Sequence, residues 1–100
     1  MNVISKVSDI TANDVAEYIR IAEVTNGDIN LLNTLLTVAK QYIMTYTGRS
    51  VEELDKYQDF VIVVLLLCQD MYDNRTLYVD SNNLNRVVES LLDLHSVNLL

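Results

Sequence analysis

Residues 60–68 read FVIVVLLLC, nine apolar side chains in succession. A helix turns about 100° per residue, so such a run coats the whole circumference and cannot face a single side. A chain of 100 residues buries one modest core, and part of the run is therefore expected to need cover from elsewhere. A bilayer span takes about 20 apolar residues, and this stretch is shorter and flanked by Gln58, Asp59, Gln69 and Asp70. The expectation is a central helix packed on its own domain on one side and on a neighbouring subunit on the other. Val61, Val64, Leu65 and Cys68 are assigned to the chain's own core, and Ile62, Val63, Leu66 and Leu67 to other helices or a neighbour.

The chain has no proline and only two glycines, Gly27 and Gly48, so little interrupts a helix. Residues 1–100 are expected to form one all-α domain: a small bundle of four main helices plus a short helical turn, with an extended arm before the last helix. Thr11 and Asp14 form an approximate capping box opening a helix to about Arg20, with Val15, Tyr18, Ile19 and Ala22 on its apolar side. Residues 24–27 read as a turn. From Asp28, taken as a cap, Ile29, Leu32, Leu35, Leu36, Ala39, Tyr42, Ile43 and Tyr46 keep to one face until Thr47-Gly48. Ser50 and Glu53 open one short helical turn, and residues 56–74 make the central helix. Residues 76–83 (TLYVDSNN) shift from β-branched and aromatic side chains to a polar cluster, giving an extended arm or weak strand and then a turn. Leu84, Val87, Val88, Leu91, Leu92 and His95 step at helical intervals, with Asn83 as the cap of a final helix over 84–96.

Fourteen acids against seven bases give a net charge of −7. Residues 51–100 hold nine of the acids and only Lys56, Arg75 and Arg86 in opposition. Nucleic acid is gripped chiefly through Lys and Arg on its phosphates, so tight DNA or RNA binding is not expected. An acidic wall past which DNA slides without sticking remains compatible with this balance. The first ten residues intersperse Asn2, Lys6 and Asp9 and show no secretory apolar region, so the chain is expected to stay in the cytoplasm in which it is made.

Catalytic chemistry finds little material. His95 is the only histidine, near a helix end without local partners for catalysis or metal binding, and a place on the helix surface or at the C-terminal dipole is expected. Cys68, the only cysteine, sits among apolar neighbours that disfavour its thiolate. Asp70 and Asp73 share a helix face near Glu52, Glu53, Asp55 and Asp59, but no glycine-turned calcium loop accompanies them. No enzyme activity, cofactor or metal is expected. Six tyrosines against one phenylalanine fit half-buried positions with a polar rim; Tyr42, Tyr46 and Tyr72 read as core-edge residues, and Tyr57 and Tyr78 flank irregular segments.

The order of helix endings carries more. A first helix closes on Glu17-Tyr18-Ile19-Arg20-Ile21, a second on Tyr46-Thr47-Gly48-Arg49, and the apolar helix on Met71-Tyr72-Asp73-Asn74-Arg75, followed by a last helix containing Leu91-Leu92. Over roughly residues 9–95 this order resembles the head-tail connector family of long-tailed double-stranded DNA bacteriophages, the head-completion or DNA-packaging adaptor proteins. Two features depart from the family pattern: the linker Glu23-Val24-Thr25-Asn26-Gly27-Asp28 is less acidic, and the C-terminus, Asn98-Leu99-Leu100, is short and apolar.

The resemblance implies a compact helical bundle whose copies, about a dozen, join into a ring beneath the portal protein. That ring extends the DNA channel and meets a tail or second head-completion protein, without specific DNA binding and without a membrane. The expected location is the head–tail junction of the virion, and the host cytoplasm during assembly. Arg49, Ile62, Val63, Leu66, Leu67, Arg75 and Tyr78 are the candidate subunit-interface residues. Arg49 and Arg75, each beside a helix terminus, are expected either to fix helix ends or to bridge to a neighbour's acids. The alternative is a small acidic α-helical adaptor or regulatory protein binding a basic protein partner; a third reading, metal-dependent hydrolysis by the carboxylates between Glu52 and Asp73, is weaker.

Overall fold

Among the described residues, three of the five α-helices open with the same reciprocal device. In the computed structural model, which describes residues 4–96, Thr11 Oγ1 accepts from the Asp14 amide at 3.2 Å while Asp14 Oδ2 accepts from the Thr11 amide at 2.9 Å. This box starts α1 (Ala12–Ile19), which buries Ala12, Val15 and Ala16. The helix stops at Arg20 in the left-handed region, φ 68°, so Ala22 lies beyond its end and is exposed.

The second box corrects an expected boundary. Thr25, not Asp28, caps α2 (Asn26–Thr47), and Asp28 is its third residue, returning a carboxylate bond to the Thr25 amide at 3.0 Å. Two orphan donors are satisfied where Asp28 alone would satisfy one, so Asn26 and Gly27 become helical instead of turning. Leu32, Leu35, Leu36, Ala39 and Ile43 form the buried stripe. Gly48, φ 73°, ends the helix and donates to the Met44 carbonyl oxygen at 2.9 Å.

Ser50 and Glu53 form the third box at α3 (Val51–Leu54), whose Leu54 is fully buried. The amides of Lys56 and Tyr57 then donate to the carbonyls three residues back. This tight link delays α4 (Asp59–Asn74) three residues past the expected start at Lys56. The helix exits through Arg75 in the left-handed region, φ 56°.

Helix α4 runs through the middle of the fold, against α1, α2, α5 and the 3-10 turn Val7–Asp9. Phe60, Val61, Val63, Val64, Leu65, Leu67 and Cys68 are all buried, Leu66 is half-buried and Ile62 is 52% exposed. Val61, Val64, Leu65 and Cys68 thus face the chain's own core, as the pattern predicts. Of the four residues assigned to other helices or a neighbour, Val63 and Leu67 are covered inside the same chain, which corrects their place among the interface candidates, and the strip through Ile62 and Leu66 stays open. A helix of this length can be enclosed by 100 residues because α5 folds back antiparallel and inserts Val88 and Leu92.

Residues 76–85 contain no strand. Thr76 to Val79 run irregularly to Asp80, whose side chain accepts from the Asn82 amide at 3.1 Å and from the Asn83 side-chain amide at 2.8 Å, building the 3-10 turn Ser81–Asn83. With Asn83 engaged there, Asn85 becomes the cap of α5 (Arg86–His95), accepting from the Val87 amide at 2.8 Å. The helix therefore begins two residues later than expected. The Asn98-Leu99-Leu100 segment lies outside the described residues.

Candidate assembly surface

Arg49 leaves α2 directly after the glycine exit, and its side chain reaches across the fold. Its Nε donates to the His95 carbonyl oxygen at 2.6 Å, Nη1 lies 3.5 Å from Glu53 Oε2, and the guanidinium stands 5.3 Å from the centre of the Tyr57 ring. An unpaired carbonyl in the last turn of α5 thereby gains a charged donor, where the helix dipole favours a cation. Of the two roles expected for Arg49, the helix-end role is the one its contacts serve.

His95 is packed into the same joint instead of lying on the helix surface. Its ring centre is 4.5 Å from that of Tyr57 and 4.8 Å from that of Phe60, and Nε2 is 3.1 Å from Asp59 Oδ2. The end of α5 is thus clamped to the α2–α3 corner and to the start of α4. Along the helix, Tyr46 Oη donates to Asp93, and that bond, with burial secondary, pushes the Tyr46 hydroxyl pKa up to about 12. Cys68 is equally engaged in structure: burial pushes its thiol up to about 12, far from thiolate reactivity.

Two apolar surfaces remain exposed. The first lies along the arm. Leu77 is 58% and Tyr78 63% exposed, and with Val79 they border a shallow groove of about 480 Å³ whose other wall is Thr37, Val38, Gln41 and Tyr42 of α2. On the other side of Leu77 a smaller cleft of about 270 Å³ is lined by Leu31, Leu35, Met71, Tyr72 and Arg75. The Arg75 guanidinium lies 5.0 Å from the Tyr72 ring centre, at the edge of this cleft.

The second surface follows the seam between α4 and α5. Ile62 and Leu66 lie one and two turns beyond Asp59, and Leu91 and Leu94 lie just before His95. The Asp59–His95 contact joins the start of α4 to the end of α5. Leu94 and Val87 are also exposed, at 71% and 55%.

Of the expected interface residues, Tyr78, Arg75, Ile62 and partly Leu66 are therefore accessible, Arg49 is committed within the chain, and Val63 and Leu67 are interior. Val87 and Leu94 were not among the expected surface positions, while Leu77 lies in the expected arm without having been singled out. Leu94 carried a signal, being apolar yet off the stripe formed by Val88, Leu91, Leu92 and His95; Val87 was placed on that stripe and lies outside it. Among the described residues no helix is long and apolar enough to cross a membrane, and no cluster of three or more His, Cys, Asp or Glu is placed to hold a metal ion. Comparison with protein-family models, curated proteins and solved structures finds no match to this chain.

Proposed function

We infer that this chain is a structural, non-catalytic virion subunit: a head-completion adaptor of the head–tail connector type. Copies join in a ring beneath the portal, continue the DNA channel and present a surface to the tail or to a second completion protein. The protein resides at the head–tail junction and passes through the host cytoplasm during assembly.

The observation that carries the reading is the placement of the segments behind the resemblance. Thr47-Gly48-Arg49 and Asp73-Asn74-Arg75 form the exits of the two longest helices, each through a left-handed residue, and a one-turn helix separates the pair. A compact all-α unit with apolar side chains left on an irregular arm supports a subunit made to be joined to others. The excess of acids supports a channel wall that repels phosphate and so does not hold DNA.

The test is imaging of the chain mixed with the portal of the same virion. Rings seated on the portal are expected. A chain that stays monomeric at high concentration and leaves the portal bare overturns the reading in favour of a small acidic adaptor for a basic protein.

A further inference from the structure

The segment from Thr76 to Ser96 is fastened at its two ends and lightly between them. Helix α4 exits through Arg75 in the left-handed region, and the Thr76 amide donates to the Met71 carbonyl oxygen at 3.0 Å, closing the helix end. Past that bond, and among the described residues, no hydrogen bond or ion pair joins residues 77–92 to α2, α3 or α4; Asp80 and Asn85 bond only within the segment. Leu77 and Tyr78 are exposed, and Val79, Leu84 and Leu91 are half-buried. Helix α5 buries two side chains, Val88 and Leu92, where α4 buries eight. The polar ties fall in the last turn of α5. Tyr46 Oη donates to Asp93, Arg49 Nε donates to the His95 carbonyl oxygen, and His95 Nε2 lies 3.1 Å from Asp59 Oδ2 while its ring covers Tyr57 and Phe60. The end of α2, the α2–α3 corner and the start of α4 thus all grip one turn.

We propose that residues 76–96 form a strap, hinged at Arg75 and closed by the clasp on Asp93 and His95, which lifts from α2 and α4 as one unit while the rest of the fold stays intact. Units of this kind open where little apolar surface is buried and few bonds cross to the remainder of the chain. Two buried side chains and the clasp hold the strap, whereas the other buried residues of the core belong to the Val7–Asp9 turn, to Ile10 and to α1, α2, α3 and α4. The clasp lies at the end far from the hinge, so its loss frees the whole lever and not a single turn. Opening uncovers the rings of Tyr57 and Phe60 and the faces of α2 and α4 on which α5 rests. The motion belongs to the single chain and requires no ring.

Native-state hydrogen exchange of the full chain, read residue by residue by NMR over a series of low urea concentrations, tests this. The amides of Ser90 to Leu94 are expected to share one protection factor, about tenfold or more below that of the slowest amides of α2 and α4. Their urea dependence should also be smaller, because lifting the strap exposes less surface than global unfolding. Arg49→Ala should lower the protection of Ser90 and Leu94 alike by about tenfold or more, and Tyr46→Phe, which removes only the tie to Asp93, should lower both by less. Equal protection and equal urea dependence in α5 and α4 overturn the strap. Protection that declines turn by turn toward His95, with Arg49→Ala acting on the last turn alone, overturns it as well, since that is the fraying of a helix end.

Discussion

Arg49 Nε donates to the His95 carbonyl oxygen at 2.6 Å, so a residue at the exit of α2 holds the last turn of α5, 46 positions away in sequence. The same guanidinium faces Tyr57 and Glu53, and His95 fills the space between Tyr57 and Phe60. Arg49→Ala is expected to lower stability by about 1.5–3 kcal/mol, the range for a hydrogen bond involving a charged group. Arg49→Lys should recover little of it, because an ammonium cannot span the carbonyl, the carboxylate and the ring face together. Urea unfolding followed by circular dichroism measures both.

Ile62 and Val63 are adjacent in sequence and opposite in role, 52% exposed and fully buried. Val63→Asp should destabilise the fold by about 3 kcal/mol or more, since an unpaired carboxylate enters the core. Ile62→Asp should alter stability by less than about 1 kcal/mol and act on assembly instead. Thermal unfolding of the two variants separates them.

Asp55 accepts from the Ser8 hydroxyl at 2.6 Å and from the Ser8 amide at 3.0 Å, tying the Val7–Asp9 turn to the end of α3. The Ser8 hydroxyl bond, helped by the amide and by Lys6 and Lys40 and opposed by partial burial, lowers the Asp55 pKa. A depressed folded-state pKa contributes stability that is present above the unfolded value of about 3.9 and is lost as pH falls through the lower folded value. Ser8→Ala should therefore weaken the fold at neutral pH and flatten its loss of stability below about pH 4. Unfolding midpoints between neutral and acid pH report the difference.

The buried Cys68 thiol should resist a water-soluble thiol reagent at pH 8 in the native protein and react fully in denaturant. Absorbance of the released chromophore gives the count directly.

Local signals account for what the sequence makes legible. Thr11 with Asp14, and Ser50 with Glu53, act over three residues, and both boxes are where the pattern puts them. The Asp28 boundary failed because a carboxylate can serve as cap or as third residue, and the choice lay with Thr25. The apolar run identified the central helix but not its coverage, because the packing of α1, α2 and α5 around α4 is decided by tertiary contacts that periodicity does not encode. His95 lies in the last turn of α5, one of its two expected places, but its partners were not legible, because Asp59, Phe60 and Arg49 are more than 30 residues distant. Of the candidate surface, Tyr78 and Ile62 were readable from an irregular segment and an over-long apolar run, whereas Leu77 gave no signal apart from its neighbours.

We propose that copies of this chain join into a ring on a phage portal, and native mass spectrometry of the chain mixed with that portal tests the proposal most directly. The account predicts a complex carrying a fixed number of chains, about a dozen, per portal ring. A spectrum containing only free portal and single chains, at concentrations where both are soluble, would contradict it.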